Sequence, residues 1–578
     1  MSAPIGLPSI IRGARGRDID ELGLGTVDRS GAADMAPLIN DAIEWCAEAG
    51  DPLWISPGLY RQSSSIYLQD YAHVLLSEDA VLRRDFSTVG VAGHITQQDI
   101  YTALKEVRWS GGRIECSDPA GLTGNAFALH INDSQIAHFH IADWPDNGRA
   151  FLLYGNRCRL HNFDALSTYD GGGIRLDGCK DFLVENFRVY CGDDCLIFAA
   201  NANAESALSG MDTERCIYVG GIARSWNARP TVSTMERVGL EPGITNSIRD
   251  NAFIGIRGYG RRATRANNTL SSGSIERIFH IGCHYDCSDD ATGGDEAISI
   301  DADAGSYGPV RDIVFQGCTV LAPYLSAVSI GGDAAGVRFE RCHFDAPRTA
   351  RETIRVNENG EAFFTGCTFE TRDDTNTVKV GADASSGARA FFDGGEFRDI
   401  ADTYNGINYI SAAAGRVNGV RFREAAGATT ASAIVVGGDC NNVVVGENDY
   451  SGITDLAKVV WTPDDNSGCR VDAPNILTIS ANTTTRAHAS GTIYLQTSAG
   501  SRTLTLPAAQ TGLEYTMVQE GAGAAVVRAA GSDTIRIPGG VSSAGGTITS
   551  SAQGDFVRVR AVAGKWVAVA VGGTWTPA

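Results

Sequence analysis

The stretch DGGGIRLDGCKDFLVENFRVYCGDDCLIF, residues 170–198, decides the fold of this chain. It joins two strand-like segments of alternating apolar residues to a pair of adjacent carboxylates, Asp193 and Asp194. An Asp-Asp pair alone carries little information, because such pairs are common in solvated turns. Its place inside a repeating strand pattern makes this pair informative about both fold and chemistry.

A hexad with apolar residues at both ends recurs before and after that stretch. It reads WSGGRI at residue 109, IAHFHI at 136, LHNFDA at 160 and VENFRV at 184, then FQGCTV at 315, FERCHF at 339, FTGCTF at 364 and FDGGEF at 392. The first residues of these hexads are 27, 24 and 24 positions apart in the first group and 24, 25 and 28 apart in the second. Such a period, with strand-like alternation and no helical pattern, is typical of a β-solenoid in which each repeat forms one coil.

Coils stacked at the ~4.8 Å spacing of neighbouring strands bring equivalent side chains into columns. We expect two such columns, one of Phe139, Phe163 and Phe187 and one of Cys318, Cys342 and Cys367. Leucine-rich repeats have a similar period, but their Leu/Asn signature and regular helices are missing from the sequence. The sequence therefore predicts an all-β chain folded as a right-handed parallel β-helix.

A helix is predicted at the start of the solenoid. Asp34 is placed to cap a helix over residues 35–49, with Pro37 in its first turn and Gly50 at its end. One face of this helix is apolar and consists of Ile39, Ala42, Ile43 and Cys46. Because an exposed strand edge would pair with other chains, we expect this helix to cap the first coil.

Three segments are predicted along the chain. Residues 1–20 have no pattern and are expected to form an N-terminal arm, and residues 21–470 the β-helix domain. From residue 475 to 578 there are no cysteines, and short strands alternate at period two. This pattern predicts a small C-terminal β-sandwich. The sandwich would cap the far end of the solenoid, trimerise the chain or contact carbohydrate.

The composition excludes several classes of partner. A net charge of −20 argues against nucleic acid and anionic membrane surfaces. There is no run of 18 apolar residues and no charged start followed by an apolar stretch, so we expect neither a membrane span nor a signal peptide. Several of the 14 cysteines occupy repeat-equivalent strand positions. We therefore expect most of them to be reduced thiols packed as small apolar groups.

An arginine-rich segment follows the carboxylate pair. Residues 224–265 contain eight arginines and three acidic residues. A solvated loop is one interpretation, and an arginine-lined wall for an acidic sugar chain is the other, since guanidinium groups pair bidentately with carboxylates. The candidate substrate-binding residues are Arg224, Trp226, Arg257 and Tyr259. The two aromatic side chains would either stack on sugar rings or pack against the protein and hold the segment in place.

The repeat predicts where the carboxylates lie. Neighbouring coils are 24 residues apart in this region, and the same step places Asp170 beneath Asp194. Two stacked carboxylates raise the pKa of one of them, as a general acid beside an ionised base requires. Asp193 and Asp194 cannot both point outward from a regular strand, so either Gly192 allows a bend or one of the pair points inward.

A second acidic segment, DEAISIDAD, covers residues 295–303. Asp301 and Asp303 share a strand face there and would form a second acid pair or bind a cation, or simply end a strand in solvent. Asp295 and Glu296 lie at the start of the same segment. We predict no cofactor and no resident metal.

The carboxylate segment resembles the polygalacturonase-type glycoside hydrolases of the pectate-lyase-like β-helix superfamily. Gly192, Asp193, Asp194 and Cys195 match the Gly-Asp-Asp-Cys motif of that family, and a weaker superfamily likeness extends over most of residues 20–460. Gly172 stands where the family has its first catalytic Asp, and the family's Gly-His-Gly and Arg-Ile-Lys motifs have no evident counterpart. The resemblance implies inverting hydrolysis with Asp193 and Asp194 as acid and base. Asp170 is added as a catalytic candidate on spacing alone.

The layout of the whole chain resembles phage tailspikes. That resemblance implies a homotrimer on the virion that binds phage tail or baseplate proteins through the N-terminal arm, and that acts outside the host cell. Its expected function is to bind and cleave a bacterial surface polysaccharide, such as capsule, exopolysaccharide or O-antigen. Two alternatives remain, a polysaccharide lyase acting by β-elimination on an acidic chain and a non-catalytic receptor-binding tail protein.

Overall fold

The computed structural model describes most of the chain from residue 16 onward. The residues outside the description are 1–15, 89–91, 146–147, 168–170, 201–210, 226–233, 241–243, 261, 269–270, 288–295, 303–307, 323–325, 346–351, 371–376, 382–386, 401–403, 427, 429–431, 438, 454–458, 462–468, 472–475 and 486–489. Contacts divide the chain into two units, Met1–Val378 and Lys379–Ala578.

The first unit is a stack of coils whose parallel strands form three sheets, here called faces 1, 2 and 3. Face 1 contains Arg17–Asp18, Leu53–Ile55, His73–Leu76, Arg108–Ser110, Gln135–Ala137, Ile217–Val219, Ile248–Ile254, Ile275–Ile281, Val310–Gln316, Val337–Glu340 and Glu361–Thr365. Face 2 contains Ser30–Asp34, Gly58–Gln62, Ala80–Arg84, Arg113–Cys116, His140–Ala142, Ile222–Ser225, Arg257–Tyr259, His284–Asp286, Thr319–Leu321, His343–Asp345 and Thr368–Glu370. Face 3 contains Ile66–Leu68, Gly93–Gln97, Asn125–Asn132, Arg149–Asn156, Gly172–Lys180, Leu196–Ala200, Glu236–Leu240, Thr264–Asn268, Ile298–Ala302, Val328–Gly332 and Ile354–Val356.

Four further strands connect these faces. Arg159–Leu166 and Leu183–Cys191 run continuously from face 1 to face 2. Leu104–Lys105 and Thr213–Glu214 pair with the ends of face 3 strands. Each coil therefore visits the three faces in the same order.

The register confirms the predicted repeat. The hexad anchors are direct register partners, namely Trp109 with Ile136, Ile136 with Leu160, Leu160 with Val184, Phe315 with Phe339 and Phe339 with Phe364. The ring of Phe163 stacks on Phe139 at 5.2 Å and on Phe187 at 5.8 Å between centroids. The chain is a parallel β-helix, as the sequence predicted.

The helix at the start of the solenoid spans Ala36–Ala49. Its N-cap position is Met35 rather than Asp34, but a carboxylate oxygen of Asp34 still accepts a hydrogen bond from the backbone N–H of Ala36 at 3.1 Å. Gly50 ends the helix with a left-handed φ of 71°. The buried residues include the four of the predicted apolar face, Ile39, Ala42, Ile43 and Cys46. The helix packs on the first coils, and a short 3-10 helix, Ile19–Leu22, precedes it.

The cysteines are unpaired, as expected for ladder residues. All 14 are free thiols, and all except Cys116 are buried. The thiols of Cys318, Cys342 and Cys367 each donate to a backbone carbonyl of a preceding coil at 3.2–3.3 Å. The thiols therefore fill the interior as a column. Within the described residues, no helix has the length and apolar character needed to cross a membrane.

The second unit contains further coils followed by two small sheets. The coil strands are Val378–Val380, at which the division falls, Arg389–Asp393, Glu396–Ile400, Asn405–Tyr409, Ala414–Asn418, Arg421–Glu424, Ser432–Val436, Val443–Val445, Asp449–Gly452, Val459–Trp461 and Arg470–Val471. A seven-stranded sheet consists of Ile476–Ile479, Ile493–Gln496, Glu514–Gln519, Phe556–Val562, Lys565–Gly572, Ile535–Ile537 and Gly540–Val541. A five-stranded sheet consists of Thr483–Thr484, Arg502–Thr505, Ala525–Arg528, Thr547–Ser550 and Thr576–Pro577. Both sheets contribute to one apolar core around Leu504, Tyr515 and Trp566, which makes this region a β-sandwich.

Candidate active site

The paired carboxylates lie on a turn from face 2 to face 3. The strand Leu183–Cys191 ends just before them, and the strand Leu196–Ala200 begins just after them. Asp193 is partly exposed, whereas Asp194 is 2% exposed. The chain bends at Gly192 and Asp193, and Asp194 is buried, so both of the predicted arrangements occur. We call residues 192–195 the carboxylate turn.

Asp194 is held by donors from the next coil. One carboxylate oxygen accepts hydrogen bonds from the backbone N–H of Thr234 at 2.9 Å and from its hydroxyl at 2.6 Å. The other oxygen accepts from the guanidinium of Arg237 at 3.0 Å. Hydrogen bonds to an ionised carboxylate are shorter and stronger than neutral ones, so this side chain is fixed in one orientation.

The coil before Asp194 presents a glycine to it. The backbone N–H of Gly173 donates to the Asp194 carbonyl at 2.8 Å, and Ile174 pairs with Leu196, a step of 22 residues. The predicted step of 24 holds from Phe163 to Phe187 on the preceding strands. Because the turn from face 2 to face 3 is two residues shorter in the later coil, the register places Gly172 next to Asp194. Asp170 lies outside the described residues.

Arg149 occupies the space beside Gly172. The two residues are register partners, and a Cβ atom on Gly172 would lie 3.4 Å from Cγ of Arg149 and 3.5 Å from the Asp194 carbonyl oxygen. Burial, with a smaller contribution from the neighbouring Arg175, lowers the pKa of Arg149 to about 10, and the charge of Asp193 opposes this effect. Gly172 therefore has an arginine side chain against it.

A buried ion pair lies beside this arginine on face 3. Nε of Arg175 donates to a carboxylate oxygen of Asp177 at 3.1 Å, and the two side chains are 8% and 2% exposed. Leu176 between them points into the core. Burial makes this pair costly to break, because a lone charge would remain without water around it.

Guanidinium groups surround the carboxylate turn. In the register of face 3, Arg175 and Arg237 are each paired with Ile197, and Arg237 is paired with Arg265. Burial lowers the pKa of Arg265, and the charges of Arg262 and Arg237 lower it further. Arg149 completes a set of five guanidinium groups, near which lie the carboxylates of Asp177, Asp193, Asp194 and Asp301.

The predicted substrate-binding residues lie on face 2. Arg224 and Tyr259 are register partners there, and Arg257 precedes Tyr259 on the same strand. Their side chains point outward, because the alternating neighbour Ala223 is buried. None of the three is among the described contacts of Asp194, and Trp226 lies outside the described residues.

The rival acidic segment is only partly described. Asp301 lies on face 3 beside Asn267 on the preceding coil, and Glu296 precedes its strand. Asp295 and Asp303 lie outside the described residues. Among the residues that the structure describes, no group of three or more His, Cys, Asp or Glu side chains is arranged to hold a metal ion.

Sequence reasoning did not select Arg149, Arg175, Asp177, Thr234 or Arg237 as site residues. Arg175 and Asp177 alternate with Leu176, so the strand period was a usable signal for their shared face. Arg237 belonged to the predicted arginine wall but was not singled out. Thr234 follows Asp194 by 40 residues across a long turn, and no local pattern indicates that contact.

Comparisons with known proteins found no matching family model and no matching curated sequence. Among solved structures, the N-terminal fragment of bacteriophage Phi29 gene product 12 is similar at 13% identity, over 85% of this chain and 82% of that one, with a TM-score of 0.42. A family 28 exopolygalacturonase from Yersinia enterocolitica matches at 12% identity over 74% and 78% with a TM-score of 0.40. The catalytic unit of a GH87 α-1,3-glucanase from Streptomyces thermodiastaticus matches at 14% over 81% and 70%, with a TM-score of 0.38. At this distance the likenesses say nothing about the chemistry of this chain.

Proposed function

We propose that this protein binds and cleaves a bacterial surface polysaccharide by glycosidic hydrolysis at the carboxylate turn. The observation that carries the proposal is the orientation of Asp194 by three hydrogen bonds beside a partly exposed Asp193. A catalytic pair needs one fixed and one accessible acid.

The two carboxylates have different proposed roles. Asp193 would donate a proton to the glycosidic oxygen, because it is the more accessible of the two. Asp194 would orient the attacking water and accept its proton. A carboxylate has about four lone-pair positions, so the three donors on Asp194 leave about one for a water molecule.

The guanidinium groups near the carboxylate turn support an acidic polysaccharide as substrate. Burial lowers the pKa of Arg149 and of Arg265, and neighbouring guanidinium groups contribute to both shifts. A carboxylate on the sugar would relieve that repulsion and pair with guanidinium bidentately.

Elimination on an acidic sugar is the second candidate reaction, because the guanidinium groups near the carboxylate turn would pair with the sugar carboxylate. A polysaccharide lyase also needs a base near that sugar. In this reaction the base removes the proton next to the sugar carboxylate, and the glycosidic oxygen leaves with its electron pair.

Location and assembly belong to the same proposal. We infer a homotrimer carried on a phage virion, with residues 1–20 contacting tail or baseplate proteins. The resemblance of the chain layout to tailspikes supports this. Light scattering of the purified full chain measures the trimer directly, and a monomer mass would contradict it.

Digestion of candidate capsule polysaccharides by the purified protein tests the reaction. Hydrolysis adds one water to the product mass, whereas elimination adds none and creates an unsaturated product that absorbs in the ultraviolet. We expect Asp193→Asn to lower the rate by about 10²- to 10⁴-fold, the usual effect of losing an acid or base group. Asp250→Asn removes an exposed carboxylate paired with Arg277 and serves as the control. Equal rates for the two variants would exclude the proposed role of Asp193.

A further inference from the structure

A groove of about 1260 Å³ lies on the first unit where faces 1 and 2 meet. Its polar lining includes Arg108, Gln135, His138, His161, Asn162 and Asn186. These residues belong to four successive coils, and the groove extends from His73 to Ile222 across six coils. At ~4.8 Å per coil, its length along the solenoid axis is about 24 Å.

Backbone geometry creates the groove. His138, Asn162 and Asn186 each have a left-handed conformation, with φ of 57°, 55° and 50°, at the bend between the two faces. Asparagine tolerates this conformation better than most residues, which explains two of the three. The stacked rings of Phe139, Phe163 and Phe187 lie under the bend and are 3–5% exposed.

Planar polar side chains form a ladder along this bend. The amide nitrogen of Asn186 donates to the amide oxygen of Asn162 at 2.5 Å. Asn162 contacts Nδ1 of His161 at 2.9 Å, and Gln135 contacts the Nε2 atom of the same imidazole. The rings of His138 and His161 meet edge to face at 5.3 Å. Amides and imidazoles thus line the groove coil after coil.

Most of the charged side chains at the groove are paired. Arg188 is paired with Asp164, and Arg159 with Glu185. Burial lowers the pKa of His161 to about 4, so this imidazole is neutral at pH 7. The guanidinium of Arg108 has no ion-pair partner in the described part of the chain. The groove therefore presents neutral polar groups, paired charges and this one guanidinium.

We propose that this groove binds an uncharged stretch of a polysaccharide chain, extended along the solenoid axis. The exposed amide groups of Gln135 and Asn186 each carry a donor and an acceptor, and the exposed guanidinium of Arg108 adds donors, which together suit a row of sugar hydroxyls. The regular spacing of the ladder matches a repeating ligand. Binding here needs no catalysis, so the inference goes beyond the proposed function and does not depend on it.

Affinity electrophoresis of the full chain tests this inference. Native gels contain dextran or galactomannan as uncharged probes, or polygalacturonate or alginate as acidic ones. An Asp193→Asn/Asp194→Asn background prevents cleavage and leaves the groove intact. We expect at least one uncharged probe to retard the protein in the gel. Each groove variant should bind that probe about 10-fold more weakly, which corresponds to a loss of about 1.4 kcal/mol in binding free energy.

The groove variants are Asn186→Gly, Arg108→Ala and His161→Ala. Asn186 and Arg108 are exposed, and glycine tolerates the left-handed conformation at position 186. These two variants therefore keep the test valid if His161→Ala fails to fold. His343→Ala, on face 2 beyond the groove, is the matched control and should bind like the parent.

Three results would overturn the inference: no retardation in either uncharged gel, retardation by acidic probes alone, or equal binding by parent and groove variants. A change of molecular mass in the groove variants, measured by light scattering, would identify the groove as a contact between copies and also overturn it. Retardation without cleavage of any capsule by the wild-type chain would instead contradict only the proposed hydrolysis.

Discussion

Replacing Thr234 by valine tests whether the orientation of Asp194 matters for catalysis. Thr234 is fully buried, and its hydroxyl donates to Asp194 at 2.6 Å. Valine keeps the β-branched shape and the backbone N–H donor at 2.9 Å while removing the hydroxyl. The variant therefore loosens Asp194 without removing its charge.

The expected loss follows from that single hydrogen bond. A hydrogen bond to a charged group contributes about 1.5–3 kcal/mol. If the full amount acts on the transition state, kcat/KM falls by about 10- to 150-fold. We expect most of the loss in kcat, because the hydroxyl orients the reacting carboxylate and does not contact the substrate.

Thr264→Val is the matched control for this variant. Thr264 is equally buried, lies on the next coil of face 3 and donates to Glu236 at 3.1 Å, a carboxylate inside the core. The assay is the initial rate of product formation on the polysaccharide that the digests identify, with thermal unfolding of both variants alongside. Full activity of Thr234→Val, or equal losses in the two variants, would refute the role given to this hydrogen bond.

Three further predictions concern the interior. Burial lowers the pKa of His94 to about 3, below its unfolded value of ~6.5, so the unfolded state takes up the proton first as the pH falls. The free energy of unfolding should therefore drop by up to about 1.4 kcal/mol per pH unit from about pH 6.5 downward. A His94→Gln variant should show a flatter dependence of this free energy on pH when unfolding is measured at pH 7, 6 and 5. Titration with a thiol reagent should detect 14 thiols in denaturant and at most Cys116 in the native protein, and fast reaction of several native thiols would contradict the buried ladder. In the core, His280 contacts Glu236 at 2.8 Å and Tyr285 donates to the same carboxylate at 2.7 Å. His280→Phe alone should therefore destabilise the chain by about 3–5 kcal/mol, and adding Glu236→Leu should restore the loss. Unfolding of the parent, the single variant and the double variant measures this, and a double variant as unstable as the single one would count against the reasoning.

The repeat was predictable because it depends on local patterns. Alternating apolar residues mark a strand, and the distance between equivalent hexads is the length of one coil. Where the structure describes the register, the first residues of successive hexads are paired with each other on neighbouring strands, as the predicted steps require. The capping helix was equally predictable from its apolar face and its terminal glycine.

The site was less predictable because it lies after a turn of variable length. The hexads end before the turn from face 2 to face 3, and that turn is two residues shorter in the later coil, which places Gly172 next to Asp194. The arginines of residues 224–265 form a cationic segment in the sequence. Those that lie on described strands are distributed over all three faces, and this distribution depends on the turns between the strands.

Sequence periodicity alone determined that the chain coils, which residues fill its columns, and that two aspartates interrupt a strand. Only the folded chain decided which side chains meet those aspartates. The physical reason is that strand stacking repeats every coil at a constant spacing, whereas a turn of any length can join two strands. Thr234 and Arg237 reach Asp194 across such a turn, and their contact exists only once the coils are stacked.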